Sequence, residues 1–207
     1  MSNNFSYRII FSKADTAVYI SHLDVMRTFT RAFRRAKTPI YYTEGYTKRP
    51  LLVFPYPLSL GIGGEKEILD IKTTVEIPDV NDFMTRLNAV LANGIRVNEI
   101  ISSEFPPVNY AIYEIISSAI ISDVMVNDFL KQDSIQATKF SKKKGDIVFD
   151  LKPYIKMIEL VPNENIKVIL PVGELSNVNV NVFIKAFSDF VGFDSNGFYA
   201  KRTGFLP

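Results

Sequence analysis

The chain has 207 residues, 47% of them apolar and 22% charged, with a formal net charge of +2, which suits one or two folded domains and excludes a disordered chain. It has no cysteine and one histidine, His22, so disulfides, thiolate nucleophiles, cysteine-ligated iron–sulfur clusters and the usual His/Cys zinc sites are excluded. The charge is uneven: residues 1–50 hold nine Lys and Arg against three Asp and Glu, a balance of +6 that leaves −4 for the rest.

The first half of the chain predicts strand, helix, strand, strand, helix, strand. Tyr7 to Ser12 is short, aromatic and β-branched, as a strand requires. Ser21 is a good helix N-cap, with Asp24 three residues later supporting the first turn. Met26, Phe29, Phe33 and Ala36 then recur at helical spacing and form the expected buried stripe. Thr38-Pro39 ends the helix, because the residue before proline disfavours helical backbone. Ile40 to Thr43, Leu51 to Phe54 and Ile68 to Ile77 follow as strands. Pro78 and Asp79 open a second helix to about Ala92, Asn93-Gly94 stops it, and Ile95 to Ile101 is a strand.

Phe105-Pro106-Pro107 is the expected linker, placing domains at 1–104 and 108–207. In the second half Tyr110 to Ile116 is a strand and Val124 to Lys131 a helix. Ile135 to Phe140 and Ile147 to Leu151 form a hairpin, and Ile166 to Leu170 is a strand. Val182 to Val191 is a helix and Phe198 to Phe205 a last strand. Asn177 to Val182 alternates like a strand but stands where the helix should start, and its position favours the helix. The expected fold is α+β, with two tandem ferredoxin-like (β-α-β-β-α-β) domains.

No run approaches the ~20 apolar residues of a membrane span. The polar start, Met1 to Ser6, lacks the apolar stretch of a signal peptide. The chain is therefore expected in the cytoplasm, without a membrane partner. No cofactor or metal of its own is expected, although oxygen ligands alone would leave a carboxylate-bound magnesium site open.

The first helix carries the main functional pattern. Arg27, Arg31, Arg34 and Arg35 fall within one quadrant, opposite the apolar stripe. A solvated helix face explains most charge stripes, but such faces mix signs to gain i,i+4 pairs, and no acid lies between Thr28 and Lys37. Repelling guanidinium groups of this kind suit a bridging anion, and the planar fork of arginine suits phosphate. The following loop adds Tyr46, Lys48 and Arg49, with Tyr41 and Tyr42 before it. Aromatics among basic residues stack bases and hold phosphates, although tyrosines also pack on sheet edges. Lys142, Lys143 and Lys144 form a basic hairpin tip, a pattern that also merely protects an edge. His22, just after the cap, either anchors the helix start or serves as a general acid/base.

Several segments together carry a resemblance. Phe11-Ser12-Lys13, Tyr19 to Arg27, Arg31 to Ala36, Tyr42 to Tyr46, Pro57 to Gly61 and Glu67 to Asp70 resemble a radical-SAM-associated domain family of unknown function, as do Lys142 to Gly145, Asp150 to Ile155 and Arg202 to Gly204. Its members are encoded beside, or fused to, a cobalamin-binding radical SAM protein in bacteria, often near RNA or ribosome-related genes. The family usually shows Asn-Pro-His-Pro-Lys where this chain has Thr47 to Leu51, so a second family histidine is missing. The resemblance implies a stand-alone partner of a radical SAM protein, and an RNA or ribosome-related substrate. Three functions follow as expectations. The first is a non-catalytic accessory module that binds RNA or ribonucleoprotein through the basic residues named above. The others are a metal-independent endoribonuclease using His22, and a protein–protein adaptor for the radical SAM partner.

Overall fold

The alternation Tyr7, Ile9, Phe11, Lys13 faces inward along strand β1, Phe5–Lys13. The computed structural model describes residues 4–102, 107–141, 145–162, 165–173 and 177–207. They form a mixed α+β structure with antiparallel strands and four α-helices, falling into two units, Met1–Pro107 and Val108–Pro207. Among the described residues no helix is long and apolar enough to cross a membrane.

In the first unit β1 is followed by α1 (His22–Arg35), β2 (Leu52–Val53), β3 (Gly63–Thr73), α2 (Val80–Asn88) and β4 (Ile95–Ile101). The strand order is β4-β1-β3-β2 with every pairing antiparallel. Helix α1 buries Val25, Phe29, Ala32 and Phe33. The stripe is thus turned slightly from the expected one, with Val25 buried and Met26 only half-buried. Phe29 meets Phe11 edge-on at 4.9 Å, over a layer that includes Ile9, Leu69, Phe83 and Leu87. Each such side chain contributes roughly 1.5–3 kcal/mol on burial.

Three expected strands differ here: Leu51 to Phe54 shortens to β2, Ile40 to Thr43 forms no strand, and Ile68 to Ile77 is displaced to Gly63–Thr73. Ile40 to Thr43 makes only isolated bridges, Ile40 to Thr73 and Tyr42 to Pro50. The strand expected to reach Ile77 ends at Thr73, whose hydroxyl donates to the Val75 carbonyl at 2.7 Å, and the chain then turns. Ile77 N–H donates to the Tyr7 hydroxyl at 2.8 Å, which anchors the turn in the core. Helix α2 stops before Ala92 because the Asn88 carboxamide bonds both the N–H and the C=O of Val97, at 2.8 and 2.9 Å.

The second unit runs β5 (Tyr110–Ser117), α3 (Asp123–Lys131), β6 (Gln136–Ser141), β7 (Gly145–Asp150), β8 (Met157–Val161), β9 (Asn165–Pro171), α4 (Val180–Val191) and β10 (Phe198–Leu206). Its order is β10-β5-β9-β8, again antiparallel. The expected hairpin forms, as β6 and β7, but as a separate two-stranded ribbon. The strand beside β9 is β8, which the sequence reading did not anticipate. A carboxylate-bonded corner precedes it: Asp150 accepts from Ile135 N–H at 2.8 Å and Lys152 N–H at 3.0 Å, closing the ribbon before β8 begins. Asn179 caps α4 by accepting from Asn181 N–H at 3.0 Å, so the alternating asparagines do start a helix.

Candidate nucleic-acid interface

Helix α1 is pinned at both ends. Its N-cap Ser21 accepts from Asp24 N–H at 3.2 Å, and the Ser21 hydroxyl donates to the Asp24 carboxylate at 2.7 Å. These bonds and the Arg27 guanidinium hold the Asp24 carboxyl below its ordinary range. At the other end Lys37 adopts a left-handed φ of 52°, Thr38 N–H reaches the Phe33 carbonyl at 2.9 Å, and Lys37 N–H reaches that of Arg34 at 3.2 Å. That pair of bonds is a Schellman motif. The Arg86 side chain adds a 2.7 Å bond to the Ala36 carbonyl.

Between these ends Arg27, Arg31, Arg34 and Arg35 are all exposed. Arg27 pairs with Asp24 at 3.1 Å, one turn back, and Arg35 donates to the Val90 carbonyl at 3.2 Å. Among the described residues Arg31 and Arg34 have neither an ion-pair nor a hydrogen-bond partner. One charge of the four is therefore neutralised by an acid, and two guanidinium forks stand open to solvent on the same side.

The loop after α1 closes on itself: Thr43 N–H donates to the Arg49 carbonyl at 2.8 Å, and Arg49 N–H to the Thr43 hydroxyl at 3.2 Å. Tyr46 stands at its tip, fully exposed, with Lys48 and Arg49 exposed beside it in sequence. The other two tyrosines have structural work. Tyr42 packs against the core of the unit, and the Tyr41 hydroxyl donates to Glu44 at 3.1 Å. Lys142, Lys143 and Lys144 lie outside the described residues, as do Phe105 and Pro106 of the expected linker.

A second constellation lies at the N-terminal end of α1. Strand β3 carries Glu65 and Lys66 both exposed, an irregularity that shifts its register against β1 between Phe11 and Lys13. The shift sets Gly64, rather than Glu65, opposite Lys13, while Glu67 continues the inward set of Leu69, Ile71 and Thr73, and it and Lys13 are each only 3% exposed. Gly64 makes room: a methyl group there would overlap the Glu67 carboxyl and lie 2.5 Å from its Cγ. Lys13 Nζ donates to the Val18 carbonyl at 3.2 Å.

Lys13, Glu67 and His22 line one cavity of about 20 Å³, walled by Phe11, Val25, Phe54 and Tyr56. The His22 ring stands edge-on to Phe54 at 5.1 Å. Burial pushes the Lys13 amine down, partly offset by the Glu67 charge. Burial and the Lys13 charge together hold the His22 imidazole below its ordinary value. Sequence reading had singled out His22 but neither of its charged neighbours. The usable signal was period two: Lys13 continues the inward set Tyr7, Ile9, Phe11, and Glu67 heads the set Leu69, Ile71, Thr73.

Among the described residues no three His, Cys, Asp or Glu side chains gather as metal ligands. What the two constellations offer is an exposed cationic face and, at its end, a small pocket with a base and a buried ammonium.

The family model described as "Uncharacterized protein conserved in bacteria (DUF2344)" matches residues 6–182. The chain belongs to that family. The DUF2344 match takes in the arginine face, the Tyr46 loop, Lys13, His22 and Glu67, and ends within α4. No curated protein matches the chain. Among solved structures, a crystal structure of an unknown protein from Galdieria sulphuraria is similar at 10% identity, covering 99% of this chain and 100% of its own, with a TM-score of 0.31.

Proposed function

We propose that this DUF2344 chain is an accessory module that binds RNA or ribonucleoprotein and presents it to a radical SAM partner in the bacterial cytoplasm. The observation that carries the reading is the pair of open guanidinium forks, Arg31 and Arg34, on a helix side that holds no acid beyond Asp24. An exposed helix gains by pairing such charges within itself, and a phosphodiester chain supplies the missing anions from outside. The fully exposed Tyr46, with Lys48 and Arg49, adds a stacking surface and further charge on the same unit.

The strand orders support reading each unit as ferredoxin-like. In both, one helix follows the first strand and one precedes the last, and the last and first strands are neighbours. The absence of cysteine fits a division of labour, with cluster chemistry held by the radical SAM partner and substrate holding by this chain.

The test is anisotropy of labelled single-stranded RNA titrated with the protein at several salt concentrations. Binding should weaken steeply with salt, and Arg31→Glu with Arg34→Glu should both weaken it and flatten the slope, since each lost phosphate contact removes about 0.7 from the log–log slope. Affinity that ignores salt would overturn the reading. So would a double variant that binds RNA as well as wild type.

A further inference from the structure

The proposed RNA surface leaves the Lys13–Glu67–His22 pocket without a role. Two buried charges of opposite sign cost desolvation energy that apolar side chains would not. The pocket is also built with some care: a register shift in β3 sets Gly64 rather than Glu65 opposite Lys13, and the missing side chain at position 64 leaves space for the Glu67 carboxyl. Register irregularities of this kind are frequent next to active sites, where they re-aim a side chain. The space left over, about 20 Å³, suits one water or one hydroxyl group.

We propose that this pocket is a general acid–base site, with His22 as the catalytic residue, that cleaves RNA by transesterification at a single ribose 2′-hydroxyl. The inference rests on the reading that RNA lies along α1. The geometry connects the two. His22 is five residues before Arg27, about 7.5 Å along the helix axis, and it turns from the arginine side toward the sheet. At this end of α1 the exposed side chains change from cationic to apolar: Tyr19 and Leu23 are largely exposed, as is Leu60, held near Val18 by a 2.9 Å bond from Gly61 N–H to the Val18 carbonyl. A strand whose phosphates lie on Arg27, Arg31 and Arg34 meets a surface for a base here, and then the one-hydroxyl pocket. The 2′-hydroxyl is the group that separates RNA from DNA.

The step balances without metal or redox partner. The neutral His22 imidazole takes the proton of the 2′-hydroxyl, and the 2′-oxygen attacks the adjacent phosphorus. The bond from phosphorus to the 5′-oxygen breaks, and the His22 imidazolium returns its proton to that leaving oxygen. The products are a 2′,3′-cyclic phosphate and a free 5′-hydroxyl. The ionisable groups facing His22 from the packed elements are Lys13 on β1, Glu67 on β3 and Tyr56 after β2. Lys13 is a positioning residue: after burial, its charge is the second influence that lowers the proton affinity of the imidazole.

The experiment incubates the full chain with labelled single-stranded RNA, in chelator, from about pH 5 to about pH 9, beside an all-deoxy oligonucleotide of the same sequence. The expected result is RNA fragments ending in 2′,3′-cyclic phosphate and an uncut deoxy strand. His22→Gln should lose about 100-fold or more of the rate while its RNA-binding curve stays in place. Lys13→Met should move the acid limb of the rate profile to higher pH, a shift that loss of structure alone does not produce. RNA that binds and stays whole at every pH overturns the cleavage site and leaves the binding reading standing. Cutting of the deoxy strand, or undiminished cutting by the His22 variant, also overturns it. RNA that neither binds nor is cut overturns both readings.

Discussion

Lys13 and Glu67 enter the same cavity from adjacent antiparallel strands, each with 3% of its surface exposed. Each charge offsets part of the desolvation that burial imposes on the other. Glu67→Gln should therefore destabilise the protein by about 1–3 kcal/mol, measured by urea unfolding. Lys13→Met combined with Glu67→Leu should recover most of that loss, because apolar replacements of similar size remove both desolvation costs. A double variant as unstable as the single one would mean the cavity itself depends on the charges.

The space for the Glu67 carboxyl is set by Gly64, whose backbone φ is ordinary, so a substitution there acts through packing alone. Gly64→Ala should cost about 1–3 kcal/mol by forcing the carboxyl aside. The same change should move the His22 titration followed by NMR, because the Lys13–Glu67 balance beside it changes. An unchanged His22 titration would separate Gly64 from the pocket.

The pH dependence of stability has two predictable limbs. His22 titrates below its ordinary 6.5 in the folded protein, so just below 6.5 the unfolded chain binds more protons and stability falls with acidification. The fall stops once the folded imidazole is itself protonated. Lys13 titrates below its ordinary 10.5, so stability should climb as pH rises from the folded value toward 10.5. Thermal melts across pH should show both limbs, with His22→Gln flattening the first and Lys13→Met the second.

Local signals carried most of the fold. Ser21 with Asp24 marked the start of α1, Thr38-Pro39 its end, and the aromatic spacing its buried side, because those features depend on contacts one turn away. The second unit was harder: β8 contains Ile158 as its one buried residue and pairs only with β9, so its periodicity is faint and its partner lies beyond a turn. The hairpin before it has stronger alternation yet stands apart from that sheet. The open arginine face was legible because it depends on one helix. The Lys13–Glu67 pair was not read, because two charges on the inward side of different strands meet only through a register that local sequence does not specify.

Lys37 is the residue of α1's C-terminal motif with the least suitable backbone. Its φ of 52° lies in the left-handed region, where a side chain crowds the following carbonyl. Glycine is the usual occupant of that position, yet the two bonds that define the motif, from Thr38 and Lys37, are both formed. Lys37→Gly should therefore stabilise the protein by about 0.5–1 kcal/mol, a gain reduced by the larger entropy of glycine in the unfolded chain. The substitution also removes a cation just beyond the arginine row. If that row binds RNA through phosphate contacts that include Lys37, the more stable variant should bind RNA more weakly with a shallower salt dependence. If the row ends at Arg35, stability should rise while the RNA titration is unchanged. A variant that loses stability would show that the Lys37 side chain holds the helix end by contacts stronger than the strain of its backbone.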